Sequence, residues 1–306
     1  MVEKSSKIYL MIFMEKVLII GGSGLLGSKI CEIFPDAFAT YNITQISRKN
    51  TFKLDISNRD SLRFALDKLE PDTVIVTAAL TDVDRCEIQP EMAAAVNTEP
   101  FNYITSYLKR KGGRLIQIST DYVFSGEKGN YSENDERKPI NVYGKTKMEA
   151  EDIIINSGID FSLVRTSGIF GINESTGKNN FFTWIYNNLR AGNEIRLVTD
   201  QIYSPVLNSV LAEAIYEIYE REINGIIHFS SLDAISRFEF GKLVAEIFNL
   251  RKDHIYPARM EDMAWIAKRP KNSSLSNNKA FKIMGIKPVT VSEELYMVKE
   301  VFSSDE

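Results

Sequence analysis

The stretch Lys16-Val-Leu-Ile-Ile-Gly-Gly-Ser-Gly-Leu-Leu-Gly27 joins a near-continuous apolar run to glycines spaced three residues apart. Such an apolar run is typical of a strand buried on both faces of a parallel sheet. Glycine permits a tight turn after the strand and lets backbone N–H groups approach a pyrophosphate at the positive end of the next helix. The stretch therefore predicts a dinucleotide-binding turn, although a purely structural strand–helix turn has the same pattern. The predicted cofactor-binding residues of this turn are Gly21, Ser23, Gly24, Leu25, Leu26 and Gly27.

The segments that follow continue the alternation of strand and helix. Short apolar runs predict strands at 38–41, 73–77, 114–118 and 161–165. Helical patterns cover the segment that ends at Pro35, then 60–69, about 91–111 and about 142–156. This alternation predicts an α/β fold, a Rossmann-like doubly wound parallel sheet with helices on both faces.

Beyond residue 165 the loops lengthen, and irregular polar stretches separate the helices. We predict an NAD(P)-binding domain over 14–165 and a smaller, mainly substrate-binding lobe over 166–306. The run Ile226-Ile-His-Phe229 is typical of a sheet strand, so a strand near 225–230 is expected to return to the first domain. No linker rich in Pro, Gly or Ser separates the lobes, which predicts one compact unit.

The amino-acid composition indicates which classes of binding partner the protein is not built for. The 306 residues are 44% hydrophobic and 25% charged with a net charge of −4, which is ordinary for a globular protein and offers no basic footprint for nucleic acid or an anionic membrane. Two cysteines and two histidines, without a ligand spacing, give little basis for a metal site. We therefore predict no metal and a reduced, cytoplasmic setting.

The N-terminal segment Ile8-Tyr-Leu-Met-Ile-Phe13 is apolar but has too few residues for a membrane span. A second methionine, Met14, comes directly before the first strand. We interpret the residues before it as a short extension or a misassigned start.

The stretch Asn141-Val-Tyr-Gly-Lys-Thr-Lys147 places a phenol and an ammonium four residues apart, on one face of a predicted helix. A nearby cation favours the phenolate and lowers the pKa of Tyr143 from its reference near ~10, which suits a proton donor for carbonyl reduction. Tyr107 and Lys111 have the same spacing, and we interpret that pair as a solvated helix face.

Context separates the two pairs. Ser119 and Thr120 come at the carboxyl end of the strand predicted just before the helix of Tyr143 and Lys147, where open α/β sheets bind their ligands. The pair at 107 and 111 precedes that strand. A hydroxyl, a phenol and an ammonium at one sheet edge predict a site that polarises a carbonyl group.

The segment after the second strand bears on the choice of cofactor. An acidic residue about 20 positions after the glycines commonly holds the ribose of NAD, but here the sequence reads Thr40-Tyr-Asn42, with Arg48 and Lys49 nearby. We predict NADP(H), with NAD(H) as the alternative. The two cations could instead be simply solvated.

These motifs resemble the extended short-chain dehydrogenase/reductases, and more closely the dTDP-4-dehydrorhamnose reductase family. The resemblance covers about residues 16–275. It rests mainly on Ser119-Thr-Asp-Tyr-Val-Phe124, on the 141–147 stretch and on Ala78-Ala-Leu-Thr-Asp-Val-Asp84. Weaker support comes from Asn179-Asn-Phe181, Asp200-Gln201 and Arg269-Pro270. The resemblance implies NADPH-dependent reduction of a 4-keto group on a nucleotide-linked deoxysugar.

The resemblance also implies roles for particular residues. The catalytic residues would be Thr120, Tyr143 and Lys147, the last two also contacting the cofactor. The remaining cofactor residues would be Arg48, Asp55 and Ile56 near the adenosine end, and Ala78 and Ala79 along the channel. The substrate residues would be Thr81, Asp121, Tyr122 and Arg269, the last clamping a pyrophosphate.

Several of these residues have a structural alternative. Asp55 is also typical of a helix cap or turn, and Asp121 and Tyr122 of local packing. Arg269 could be an exposed residue before a proline. Asn97, which matches a helical amide that supports the active site in relatives, could be a surface amide.

Other functions stay open at this stage. The regulatory (beta) subunits of methionine adenosyltransferase also resemble these reductases and retain the Tyr and Lys, and a sugar-nucleotide epimerase or dehydratase is a third alternative. Gly168 stands where the reductases commonly carry a Trp, which leaves the identity of the sugar open. Relatives often form homodimers, but the sequence shows no interface signature.

Overall fold

A computed structural model describes residues 15–173, 176–177 and 179–304. The apolar segment at 8–13 and Met14 therefore lie outside the described residues. The strands are β1 (Val17–Ile20), β2 (Phe38–Tyr41), β3 (Thr51–Lys53), β4 (Thr73–Val76), β5 (Arg114–Thr120), β6 (Asp160–Thr166), β7 (Ile169–Phe170), β8 (Ile195–Val198), β9 (Ile202–Tyr203), β10 (Val206–Leu207), β11 (Gly225–His228), β12 (Ile235–Ser236) and β13 (Ile255–Ala258). The helices are α1 (Leu25–Ile33), α2 (Arg59–Leu69), α3 (Val83–Ile88), α4 (Pro90–Asn97), α5 (Pro100–Lys111), α6 (Val142–Ile155), α7 (Phe181–Arg190), α8 (Asn208–Glu220), α9 (Arg237–Ile247), α10 (Asn278–Ile283) and α11 (Val291–Ser304).

The central element is a seven-stranded sheet in the order β11-β6-β5-β4-β1-β2-β3, in which every neighbouring pair is parallel. The strand order reverses at β1, which lies between β2 and β4. In open parallel sheets, ligands bind outside the carboxyl ends of the strands at this reversal. The predicted Rossmann-like α/β fold is confirmed.

The core explains why β1 is apolar throughout. All four of its side chains are buried, and they alternate between two apolar clusters on opposite faces of the sheet. Ile19 packs with residues of α1 and α8, whereas Leu18 packs with residues of α2 and α5. Full burial of each such side chain contributes about 1.5–3 kcal/mol, so both faces of the sheet stabilise the strand.

Some elements differ from the sequence-based expectation. The single helix predicted over 91–111 is wrong, because α4 ends at Asn97 and α5 begins at Pro100. Proline has no N–H for a helical hydrogen bond but fits the first position of a helix, which is where Pro100 lies. The strand β3 was not predicted; it is three residues long and pairs only with β2 at the edge of the sheet.

The second half of the chain forms three small two-stranded sheets, β10 with β7, β12 with β9 and β13 with β8. The antiparallel pairing of β12 with β9 places the start of α9 beside Gln201. The strand β11 also belongs to the second half of the chain, but it pairs with β6 at the edge of the large sheet. None of the helices in the described ranges has the length and apolar character needed to cross a membrane.

Candidate active site

The glycine turn after β1 brings backbone, rather than side chains, to the sheet edge. Gly21 has φ +100°, and a Cβ there would lie 2.6 Å from the Ala78 nitrogen. A Cβ on Gly27 would collide with the Gly21 carbonyl, so α1 approaches the turn closely only because both residues are glycine. Gly24 is the N-cap of α1 and has no side chain that could accept a hydrogen bond from the helix. N–H groups of the first turn are therefore left for a phosphate. The turn therefore has the shape and donors that a dinucleotide pyrophosphate needs.

Two buried amides from the second half of the chain hold this turn. Asn173 donates from Nδ2 to the Ser23 carbonyl at 3.2 Å, and Asn208 donates to the Leu25 carbonyl at 3.0 Å. Both asparagines are buried. Leu26 is also buried and packs in the core below α1. The turn is thus positioned by both halves of the molecule.

The remaining predicted cofactor residues lie at neighbouring strand ends. Ala78 and Ala79 are half-buried directly beyond β4, and the Ala78 N–H donates to the Ile20 carbonyl at 3.1 Å. Asp55 accepts from the N–H and hydroxyl of Ser57 at 3.0 and 2.7 Å, which is a turn contact. Ile56 beside it is buried. The adenine contacts of Asp55 and Ile56 stay predictions.

Arg48 has a structural role that its sequence context did not show. Its Nη2 donates to the carbonyls of Phe34, Pro35 and Ala37 at 3.0, 2.7 and 3.2 Å. These carbonyls follow the last turn of α1, so the guanidinium binds the negative end of that helix. The expectation of a simply solvated Arg48 is wrong, whereas its contact with a 2′-phosphate stays a prediction. Lys49 next to it is exposed.

Tyr143 lies at the start of α6, which is fixed in two ways. The Asn141 side chain caps the helix by accepting from the Gly144 N–H at 2.8 Å. A Cβ on Gly144 would collide with the Tyr122 carbonyl, so the helix packs directly on the turn that follows β5. This packing brings the Tyr143 phenol beside Thr120.

Burial raises the pKa of Tyr143 above its ordinary value, although the adjacent Thr120 hydroxyl acts in the opposite direction. The sequence-based expectation that Lys147 lowers this pKa is wrong, because desolvation of the phenol is the largest effect. A raised pKa keeps the proton on Tyr143. The phenol is therefore in the form that can donate.

Lys147 is 2% exposed and donates from Nζ to the Ile118 carbonyl at 2.8 Å. Burial lowers its pKa to about 8, and the carboxylate of Glu151 opposes this shift. Glu151 is itself buried, accepts from the Ser119 hydroxyl at 2.5 Å and forms a bidentate pair with Arg165 at 3.0 and 2.7 Å. This buried pair fixes the wall of the site behind Lys147.

Asn97 is buried, so the surface-amide alternative is wrong. Its Oδ1 accepts from the Leu80 N–H at 2.8 Å, and its Nδ2 donates to the Leu80 carbonyl at 3.1 Å and to the Thr146 hydroxyl at 3.2 Å. The amide thereby ties the loop after β4 to α6, next to Lys147.

The second Tyr–Lys pair lies elsewhere. Tyr107 is 7% exposed and donates to the Pro71 carbonyl at 3.2 Å, whereas Lys111 is exposed and pairs with Asp72 at 3.6 Å. The interpretation of a solvated face is therefore wrong for Tyr107. Within the described ranges, the hydrogen-bond partner of the Tyr107 hydroxyl is the Pro71 carbonyl and not a strand-end hydroxyl such as that of Thr120.

The predicted substrate residues differ in exposure. Asp121 is buried and accepts from the hydroxyls of Ser167 and Ser273 at 2.7 and 2.5 Å, and burial raises its pKa. The Tyr122 ring meets the Tyr143 ring edge-on, with centroids 5.7 Å apart. Thr81 is exposed at the loop after β4.

Arg269 is mostly buried and forms a two-point pair with Asp84, with both Nη–Oδ distances 3.1 Å. Its guanidinium also lies over the Trp265 ring at 5.2 Å. The alternative of an exposed arginine is wrong, and a pyrophosphate contact stays a prediction. Asp84 belongs to the 78–84 motif, so this pair connects that motif to the C-terminal part of the chain.

The structure adds residues that the sequence-based reasoning missed. A Cβ on Gly168 would lie 2.6 Å from the Tyr203 ring, so this ring occupies the space beside Gly168. Arg237 lies over the Tyr203 ring and donates from Nε to the Gln201 side chain at 2.7 Å. The only sequence signal near Arg237 is Ser236-Arg-Phe-Glu239, which indicates a helix start and not a site.

Comparison with known proteins identifies the family. Residues 14–303 match the family model described as the RmlD substrate binding domain. The chain belongs to this family. The match covers nearly the whole chain, and the resemblance drawn from the motifs is confirmed.

Three relatives align with this chain over most of their length. The chain is 30% identical to a probable low-salt glycan biosynthesis reductase of Haloferax volcanii, covering 92% of this chain and 97% of that protein. It is 30% identical to a dTDP-4-dehydrorhamnose reductase of Aggregatibacter actinomycetemcomitans, covering 90% and 95%. It is also 29% identical to the methionine adenosyltransferase 2 subunit beta of Danio rerio, covering 85% and 82%.

Solved structures of the family have the same fold. A hypothetical dTDP-4-dehydrorhamnose reductase from Sulfolobus tokodaii is 36% identical with a TM-score of 0.82, covering 90% of this chain and 97% of that one. The dTDP-4-dehydrorhamnose reductase of Bacillus anthracis, solved in complex with NADP, is 26% identical with a TM-score of 0.82, covering 94% and 100%.

Proposed function

We propose that this chain reduces the 4-keto group of a nucleotide-linked deoxysugar with NADPH, as a dTDP-4-dehydrorhamnose reductase. The observation that supports the proposal is that Tyr143 lies beside Thr120 while Lys147 donates to the Ile118 carbonyl, both near the carboxyl end of β5. That end lies at the same sheet edge as the glycine turn after β1, with only β4 between the two strands. A proton donor and a dinucleotide turn at one edge suit carbonyl reduction.

The nicotinamide cofactor would be held by the backbone N–H groups of the turn at 21–27, with Ala78 and Ala79 along its length. The collisions that a Cβ would cause at Gly21 and Gly27 support a close approach of backbone to ligand there. The bound cofactor supplies the hydride. The NADP complex of the Bacillus anthracis homologue supports the choice of cofactor class.

The side chains of this chain supply the proton and the electrostatic stabilisation. Tyr143, protonated because burial raises its pKa, donates its proton to the carbonyl oxygen. The Thr120 hydroxyl stabilises the negative charge that develops on that oxygen. Lys147, positively charged below its pKa of about 8, then stabilises the tyrosinate that remains.

The setting of the reaction is also part of the proposal. Cys31 and Cys86 are free and buried, which suits a reducing compartment. The pairing of nucleotide sugar and NADPH suits the cytoplasm.

The experiment that tests the function is NADPH oxidation against a panel of nucleotide 4-keto-deoxysugars that differ in base and sugar. We expect oxidation with at least one member, including the dTDP-linked 4-keto-6-deoxyhexose, and a product reduced at C4 by NMR. No oxidation with any member, together with co-purification of a methionine adenosyltransferase, would support the regulatory alternative. Tightly retained NAD that is recycled without net oxidation would instead support an epimerase or dehydratase.

A further inference from the structure

Arg237 is a fixed cation for which the described part of the chain offers no carboxylate within ion-pair distance. Its Cζ lies 4.6 Å from the Phe181 ring centroid and 4.7 Å from that of Tyr203, so two aromatic rings lie close to the guanidinium. Its Nε donates to the Gln201 Oε1 at 2.7 Å, and its backbone N–H donates to the Gln201 carbonyl at 3.3 Å. These contacts hold the side chain in place.

The position of Arg237 is not explained by the stability of α9. Arg237 is the first residue of that helix, where the macrodipole makes a positive side chain unfavourable. Ser236 and Glu239 already form a complete capping box. A residue that departs from a local rule without a local gain is expected at functional sites.

A short chain of contacts connects Arg237 to the catalytic tyrosine. Gln201 accepts from Arg237 and donates from Nε2 to the Tyr122 hydroxyl at 3.1 Å. The Tyr122 ring lies edge-on to the Tyr143 ring. Arg237 also acts electrostatically on this region: burial raises the pKa of Tyr122, and the charge of Arg237 opposes the shift. Arg237 therefore belongs to the same site as Tyr143, and the side chains of Gln201 and Tyr122 lie between the two residues.

We propose that Arg237 binds the diphosphate of a nucleoside diphosphate sugar, an inference that rests on the proposed function. In a nucleotide-linked 4-keto-hexose, the phosphate on C1 and the carbonyl at C4 lie on opposite sides of the sugar ring. Tyr143 at the carbonyl and Arg237 at the phosphate contact these two ends. The Nη donors of Arg237 make no hydrogen bond to any residue that the structure describes, and they present the planar edge that suits phosphate oxygens.

Gly168 is part of this arrangement. Because a Cβ at this position would lie 2.6 Å from the Tyr203 ring, a Trp there would displace the ring from its place against Arg237. At the position where the reductases commonly carry a Trp, this chain therefore leaves room for the Tyr203 ring, which lies with Phe181 close to the Arg237 guanidinium. The absence of a side chain at Gly168 thus allows the Tyr203 ring to hold Arg237 in position for the diphosphate.

The test is calorimetric binding of dTDP and of UDP, each with NADPH at saturation so that the cofactor turn is filled. Arg237→Gln is expected to weaken binding of the preferred nucleotide on the order of 10- to 100-fold, as for loss of a hydrogen bond to a charged group. Arg237→Lys keeps the charge without the planar edge and is expected to weaken it less. Arg251→Gln, which removes an exposed arginine paired with Asp253, is the matched control and is expected to bind like the wild type.

The NADPH affinity of each variant reports whether the site remains folded. If Arg237→Gln also loses NADPH binding, the comparison passes to Arg237→Lys, which must then bind the nucleotide less tightly while retaining NADPH. Unchanged dTDP and UDP binding in Arg237→Gln overturns the proposal, and it is the result expected if Arg237 instead recognises a carboxylate on the sugar of its ligand. A wild type that binds neither nucleotide also overturns the proposal. The measurement needs no turnover, so failure of the reductase assay and failure of this assignment are distinguishable.

Discussion

At the scale of single residues, burial sets the chemistry of the site. Lys147 is an ordinary lysine in sequence, but at 2% exposure its ammonium loses hydration and its pKa is lowered to about 8. Tyr143 experiences the same desolvation with the opposite result, since the neutral phenol is favoured and its pKa rises. The two groups therefore titrate in different pH ranges. We therefore expect Lys147 to set the upper limit of the pH range in which the protein is active.

The pH profile of kcat/KM for keto-sugar reduction is expected to fall above about pH 8. The value of kcat/KM falls because Lys147 is neutral above its pKa and no longer stabilises the tyrosinate. Tyr143 remains protonated over the same pH range, since burial raises its pKa. Steady-state kinetics across this range provide the measurement. Lys111→Met, which changes the exposed lysine of the second pair, is expected to leave the profile unchanged. A wild-type profile that stays flat well above pH 8 would contradict this assignment.

Spacing alone fitted both Tyr–Lys pairs, and Tyr143 and Lys147 were selected because their helix follows a strand that ends in hydroxyls. Spacing could not give the direction of the Tyr143 pKa, since that depends on how completely the surrounding turn covers the phenol. The same limit applies to Asn97 and Tyr107. A surface amide was the alternative for Asn97, and Tyr107 was interpreted as part of a solvated face. Both residues are buried through contacts with segments distant in sequence.

At the scale of elements, we expect the loop after β2 to determine which cofactor the turn accepts. The position that commonly holds a ribose-binding carboxylate lies in the segment Thr40-Tyr-Asn42, and Asn42 is exposed. Arg48 stabilises the end of α1, and Lys49 is the exposed cation beside it. The loop at 42–50 thus contains two cationic residues and no carboxylate, which is what we expect of a loop that binds a 2′-phosphate.

We expect kcat/KM to be higher with NADPH than with NADH, on the order of tenfold for about 1.4 kcal/mol of discrimination. Asn42→Asp introduces the missing carboxylate and is expected to move the preference towards NADH. Asn187→Asp, an exposed change of the same kind on α7, is the control and should leave the ratio unaltered. A strong preference of the wild type for NADH would refute this prediction.

Most elements of the sheet could be predicted because their signals are local. Apolar runs mark β1, β4, β5 and β6, and each is buried on both faces. The division of the 91–111 segment was also present in the sequence, at Pro100, but the continuous helical pattern on either side obscured it. The strand β3 had too few residues to show a pattern.

At the scale of the whole molecule, the fold assembles one site from distant segments. The glycine turn is held by Asn173 and Asn208, and α6 is joined to the C-terminal part through the bond from Asn141 to the Lys268 carbonyl at 2.8 Å. Arg237 reaches the site only because β12 pairs with β9. Such pairings are tertiary contacts, which leave no local pattern in the sequence. The family resemblance therefore predicted catalytic residues, whereas the contacts that hold Arg237 could not be predicted.

The most direct test of the central claim, that Tyr143 is the proton donor of a carbonyl reductase, is the turnover of Tyr143→Phe beside Tyr107→Phe. Each change removes one hydroxyl from a tyrosine that lies four residues before a lysine. With the active nucleotide keto-sugar and NADPH, we predict that Tyr143→Phe lowers kcat by roughly 10²–10⁴-fold. Tyr107→Phe, which loses only the bond to the Pro71 carbonyl, is predicted to keep wild-type turnover. Wild-type turnover by Tyr143→Phe would contradict the account.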